Sequence, residues 1–168
     1  MIMPFEESIS KYIIGKVEIS EIPKIAVKGV EEGYESESLF ILAGMNENDN
    51  PFELKNYLEL SLEELGIGPK SRFEAAKYLT DYYVNKIGQR VITPINGVDF
   101  IKNNCWDILQ SKQGGKELDT YQKRIENIIH VWYNYFEDYV PSDITKRQYF
   151  SDIDNEIIAE IKKMNIEF

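Results

Sequence analysis

Between Asn50 and Gly66 the chain marks both ends of one helix, and this punctuation constrains the fold more than any other feature. Asn50 can accept from the free N–H groups of a first turn. Pro51 takes the first helical position, where its missing N–H costs nothing, and Glu53 complements the positive end of the helix. Leu54, Leu58, Leu62 and Leu65 then recur every three or four residues until Gly66. A stripe of this kind must be buried against another, so the surrounding segments have to supply partners.

They do so along almost the whole chain. Phe5–Ile14 reads as a helix ended by Gly15, and Glu21–Gly33 as a second, with Ser20 at its N-cap and Pro23 in its first turn. Ile22, Ile25, Ala26, Gly29 and Val30 form its inward face, and Leu39, Leu42 and Ala43 that of a helix over Ser36–Met45. Ser71 and Glu74 open another, closed by Gly88. Pro94-Ile95-Asn96-Gly97 is turn chemistry ahead of a helix near Val98–Leu109. A long element over Lys116–Tyr139 carries Leu118, Tyr121, Ile125, Ile128, Trp132 and Phe136 on one stripe and stops before Pro141. Ser151 and Asp154 form a capping pair before Ile153, Ile157, Ile161 and Met164. Alternating, strand-like runs are confined to Lys16–Ser20 and Gln89–Thr93. The pattern predicts an all-α fold: a single-domain bundle of about seven helices over residues 1–168.

Composition narrows the function. The 168 residues include a single His and a single Cys, which removes multi-His metal sites and an internal disulfide. No apolar run approaches the roughly 20 residues needed to span a bilayer. The opening MIMPFEESISK has two glutamates where a secretory signal has basic residues, so a cytoplasmic location is expected. The net charge is −10, and residues 1–50 contribute −6 of it, with four Lys against ten acids. Such a chain repels phosphates, which argues against nucleic acid or an anionic membrane as partner and favours a basic protein.

Candidate catalytic groups each have a plainer reading. His130 has Glu126 and Asn127 one turn before it, an ordinary helix contact with no nucleophile attached. Cys105 in KNNCWD lacks a placed His and reads as a buried, inert thiol. The acids from Asp152 to Glu156 lack the central Gly and terminal Glu of a twelve-residue calcium loop and suit the start of a helix. Neither Gly66-Ile67-Gly68 nor Gly114-Gly115 is followed by the Gly-Lys-Ser/Thr of a phosphate cradle. We therefore expect no catalytic residues, no metal and no cofactor; an enzyme would have to work with carboxylates alone.

Two features point to protein recognition. Twenty-one residues are aromatic, eleven of them Tyr, and Tyr78, Tyr82 and Tyr135 fall off the apolar stripes, as interface tyrosines do. Glu31, Glu32, Glu35 and Glu37 gather around the junction of the second and third helices, with Glu47 and Asp49 after the third. We expect these six acids to share a partner-binding surface, with Tyr34 as its anchor. Carboxylates grouped in this way raise the encounter rate with a cationic partner.

The segment Glu21–Ile67 carries Gly33-Tyr34-Glu35-Ser36, then Leu39-Phe40-Ile41-Leu42-Ala43-Gly44, then an acid-capped helix ending in Glu64-Leu65-Gly66. It resembles small helical bacterial proteins of mostly unassigned role. More broadly, the chain resembles the immunity proteins of bacterial polymorphic and contact-dependent toxin systems. That resemblance implies a small, cytosolic, cofactor-free protein that neutralises a toxin domain, often a basic nuclease. The alternative expectation is a homo-oligomeric scaffold or adaptor, dimeric along a seam holding Trp132 and Tyr135.

Overall fold

In the computed structural model, residues 4–67, 71–136 and 144–164 are described. They form nine α-helices, two short 3-10 turns and no strand. The all-α class is therefore as the apolar periodicity indicates. The chain, read above as one bundle of about seven helices over residues 1–168, divides into two compact units, 1–75 and 76–168.

The first unit runs up and down. It contains α1 (Phe5–Ile13), a 3-10 turn (Ile19–Glu21), α2 (Ile22–Glu31), α3 (Glu37–Ala43) and α4 (Pro51–Leu65). Its core is built from Phe5 and Ile9 of α1, Ile22, Ile25 and Ala26 of α2, Leu39 and Leu42 of α3, and Leu54 and Leu58 of α4. Those of α2, α3 and α4 are the stripe positions read from the sequence, and burying each large apolar side chain contributes roughly 1.5–3 kcal/mol against leaving it in water. The α4 start forms as its sequence dictates: the Asn50 side chain accepts from the Phe52 N–H at 3.0 Å, and Pro51 sits in the first turn. The Ser36 hydroxyl caps α3 by accepting from the Leu39 N–H at 3.1 Å. Ser20 does not cap α2. Instead Glu18 and Glu21 form a reciprocal pair around the 3-10 turn, which leads directly into α2.

The second unit takes most of α5 (Arg72–Gly88), with α6 (Pro94–Asn104), α7 (Trp106–Gln110), α8 (Lys116–Tyr133), a 3-10 turn (Asn134–Phe136) and α9 (Lys146–Lys162). Val84 and Ile87 of α5, Val98 and Ile101 of α6, Ile125, Ile128 and Trp132 of α8, and Ile153, Ile157 and Ile161 of α9 make its core. Ser71 and Glu74 pair at the head of α5: the Glu74 N–H donates to the Ser71 hydroxyl at 3.2 Å, and that hydroxyl donates to the Glu74 carboxylate at 3.1 Å.

Four boundaries differ from the sequence reading, each for a local reason. Pro94–Gly97 is the first turn of α6 rather than a loop, because proline is well suited to a first helical position. Gly97 is tolerated there because a Cβ would come within 2.6 Å of Ile87, so glycine lets α5 and α6 approach. The helix read over Val98–Leu109 divides at Cys105, whose φ of −112° ends α6 before α7 begins. Ser151 and Asp154 lie inside α9, which starts at Thr145; the Thr145 hydroxyl accepts from the Gln148 N–H at 3.1 Å. A Ser and an acid three apart fit a helix interior as readily as its start, so the spacing misleads. Finally, α8 gives way to a 3-10 turn after Tyr133, leaving Phe136 60% exposed and off the buried stripe. Residues 137–139 and Pro141 of that reading lie outside the described residues.

Candidate functional site

The α3 helix has only two turns, and five of its seven residues, Leu39 to Ala43, are apolar. A helix this short cannot bury apolar residues on every side when it packs between two neighbours. Ser38, Leu39 and Leu42 face the core, between α2 and α4. Phe40 and Ile41 stand on the other side, 51% and 42% exposed. Glu37 lies three and four residues before them, so its carboxylate shares their face. Phe52, at the start of α4, is 84% exposed. Large apolar side chains held in water beside carboxylates are the informative kind of surface, since buried apolar residues report only on folding.

The up-and-down order gathers four helix ends beside this face: the start of α1, the end of α2, the start of α3 and the end of α4. Three long-range contacts fix the arrangement. The Phe5 N–H donates to Glu32 Oε2 at 2.8 Å, so Glu32 caps α1 from across 27 residues of sequence. The Tyr34 hydroxyl donates to Glu6 Oε1 at 3.3 Å. The Ser38 N–H and hydroxyl both donate to Glu64, at 3.0 and 2.6 Å. The Ser38 hydroxyl, and then its N–H, hold the Glu64 carboxyl below the usual range. Glu64 thus supplies the α3 start with a carboxylate from α4 where the helix has free N–H groups.

These contacts divide the seven expected partner-binding residues. Glu31, Glu35 and Glu37 are exposed and make no ion pair among the described residues. Glu32 is taken up by Phe5, with Lys28 Nζ 3.9 Å from its other oxygen. Tyr34 is half-buried: its ring centroid lies 4.9 Å from that of Phe5, and burial, then the Glu6 carboxylate, push its phenol up from the ordinary value. Its ring packs against the core of the unit, so it is not a fully exposed side chain. Glu47 and Asp49 sit at the far end of α3. There Glu47 pairs with Lys24 at 2.7 Å, which lowers its carboxyl, and Asp49 accepts from the Asn46 N–H at 2.7 Å. Proximity in sequence had grouped them with the others; one pass of α3 separates them.

The other candidates are placed as follows. Cys105 is buried. His130 is exposed, and Glu126 pairs with Lys123 at 2.6 Å. Asp152 accepts from Gln148, and Asp154 from the Tyr135 hydroxyl. Tyr78 and Tyr82 are half-buried and stacked, with centroids 6.1 Å apart. Trp132 belongs to the core of its unit and donates its indole N–H to the Ile95 carbonyl at 3.1 Å. Near the end of α8 the exposed aromatics are Tyr133 and Phe136. Among the described residues, no three His, Cys, Asp or Glu side chains group so as to hold a metal ion. None of their helices is long and apolar enough to cross a membrane.

Fold and face together define an all-α protein with an acidic, apolar patch on a short helix. Comparison with protein-family models, with curated proteins and with solved structures finds no match to this chain.

Proposed function

We propose that this chain is an immunity-type inhibitor that acts in the bacterial cytosol by binding a basic toxin domain. Its docking face is the outer side of α3, with no cofactor and no reaction of its own. The observation that carries this reading is the placement of exposed Phe40 and Ile41 on the face of Glu37, with exposed Glu31 and Glu35 at the end of α2 and in the loop that leads into α3. Charge supports it: residues 1–75 hold fifteen acids against seven Lys and Arg, net −8 of the −10 total. The exposed carboxylates would steer a cationic partner and fix its orientation, while Phe40, desolvated at the centre, would set the dissociation rate. The role given to Tyr34 by sequence passes to Phe40.

The test is isothermal titration against the C-terminal toxin domain encoded beside this chain's gene. Sub-micromolar binding is expected, with Phe40→Ala weakening it at least about tenfold, since central aromatic contacts carry roughly 1.4 kcal/mol or more. The combined Glu31→Gln, Glu35→Gln and Glu37→Gln variant should lower the association rate and flatten its salt dependence. An absence of heat at micromolar concentrations, or of any such neighbouring gene, would remove this reading.

A further inference from the structure

Among the described residues four helices end in the same way, and one of them does so without glycine. At the ends of α1, α2 and α4 a residue in the left-handed region closes the helix: Gly15 at φ +81°, Gly33 at +90° and Gly66 at +63°. In each, its N–H returns to the carbonyl three residues back and the next N–H to the carbonyl five back: Tyr12 and Lys11, Val30 and Gly29, Glu63 and Leu62. The end of α5 repeats the geometry, with Arg90 N–H on Ile87 O at 2.9 Å and Val91 N–H on Lys86 O at 2.9 Å. Here the left-handed residue is Arg90, at φ +57°. A side chain at such a φ is strained where glycine is not. The backbone of position 90 suits glycine better, so the Arg90 side chain is a feature that the helix end itself does not require.

It lines an open surface pocket of about 310 Å³ whose described lining residues all belong to the second unit. Ile87, Ile92 and Ile158 give it an apolar lining. Around them stand Arg90, Thr93, Ser151 and Asn155, all exposed, whose side chains have no hydrogen-bond or ion-pair partner among the described residues. The one carboxylate among the described lining residues, Asp154, already accepts from the Tyr135 hydroxyl. Ser151, which sequence reading assigned to capping, is thereby free for this pocket. Four unengaged polar groups, one of them a guanidinium, over aliphatic walls select an anion with an apolar body. The volume is that of a small ligand. Guanidinium pairs best with a planar, two-oxygen anion, because its donors form a fixed fork.

We infer that this pocket binds a carboxylate carried on a short aliphatic body, with Arg90 as the charge partner and Thr93, Ser151 and Asn155 as its hydrogen-bonding rim. The site is in a different unit from the α3 face and does not depend on the proposed inhibitor role.

The experiment titrates 4-methylpentanoate into isotopically labelled protein and follows amide signals. Expected are saturable shifts at Arg90, Ser151 and Asn155 below about 10 mM, with none from the neutral 4-methylpentanamide. Arg90→Gly should weaken binding at least tenfold and at the same time raise the melting temperature by about 2 °C. That combination separates loss of a ligand group from loss of the fold. N-acetyl-Ala-Leu provides the second arm: tighter binding than the free acid assigns the site to a chain terminus, weaker binding to a free small acid. Equal binding of the amide, stronger binding of inorganic phosphate, no saturable shift, or undiminished affinity in Arg90→Gly would each overturn the assignment.

Discussion

Phe5→Ala is expected to lower the stability of the first unit by about 4 kcal/mol, as read from urea unfolding. Phe5 is the first residue of α1 and is fully buried. Its ring lies on Gly29 of α2, so closely that a Cβ there would come within 2.9 Å of two ring carbons. Tyr34 covers the ring at a centroid distance of 4.9 Å. Truncation therefore leaves a hole bordered by a residue with no side chain to collapse into it, which puts the cost toward the upper part of the usual range. Gly29→Ala sets two effects against each other. Alanine gains about 1 kcal/mol of helix propensity, but overlap with a buried aromatic ring costs about 1–3 kcal/mol, so the variant should be destabilised. Shrinking the ring makes room for that methyl group. Phe5→Leu combined with Gly29→Ala should consequently cost less than the sum of the two single changes. A loss under about 1 kcal/mol for Phe5→Ala would contradict this packing.

The second large effect appears at high pH. In the second unit the Tyr121 hydroxyl donates to Asp81 Oδ1 at 2.8 Å, and burial, then the Asp81 charge, hold the phenol neutral far above its ordinary value of 10.0. The unfolded chain releases this proton near pH 10 and the folded chain does not. Stability from Tyr121 is thus fully present below pH 10 and declines as pH rises above it, by about 1.4 kcal/mol per pH unit. Tyr135, shifted in the same direction first by burial and then by hydrogen bonding to Asp154, is more exposed, so its contribution to the decline ends at a lower pH. Tyr121→Phe should cost about 1 kcal/mol at neutral pH for the lost hydrogen bond. Asp81 keeps its pairing with Lys77 at 2.6 Å, so the carboxylate is not stranded. The variant should lose stability more slowly above pH 10 and overtake the parent near pH 11. Parallel stability curves for the two proteins between pH 9 and 12 would contradict the assignment.

Much of the fold can be read locally, and the reason is the same at each place. The Asn50-Pro51-Glu53 start, the Gly66 stop and the Ser71–Glu74 pair are interactions within one turn, so sequence spacing contains all the information they need. The Ile153, Ile157, Ile161 and Met164 stripe is equally direct, and all four residues are buried. Ser151 misleads because its spacing to Asp154 exists equally in mid-helix; only Thr145, already bonded to Gln148, settles the start of α9. The candidate site is less legible, since its organising contacts span long stretches of sequence. Nothing near Glu32 announces that it caps a helix 27 residues earlier, and nothing near Glu64 announces Ser38. Glu47 and Asp49 look adjacent to Glu37 in sequence but are carried to the other end by α3. One signal was available: Leu39-Phe40-Ile41-Leu42-Ala43 is apolar on all sides of a two-turn helix, so some of it had to face water.

The proposed docking face on α3 is most directly tested by amide hydrogen exchange of the protein with and without the proposed toxin-domain partner. Slowed exchange centred on Glu37 to Gly44 and the preceding Glu31–Glu35 loop, absent in Phe40→Ala, is the result expected from docking on this face. Unchanged exchange there, with protection elsewhere on the chain or none at all, would contradict it.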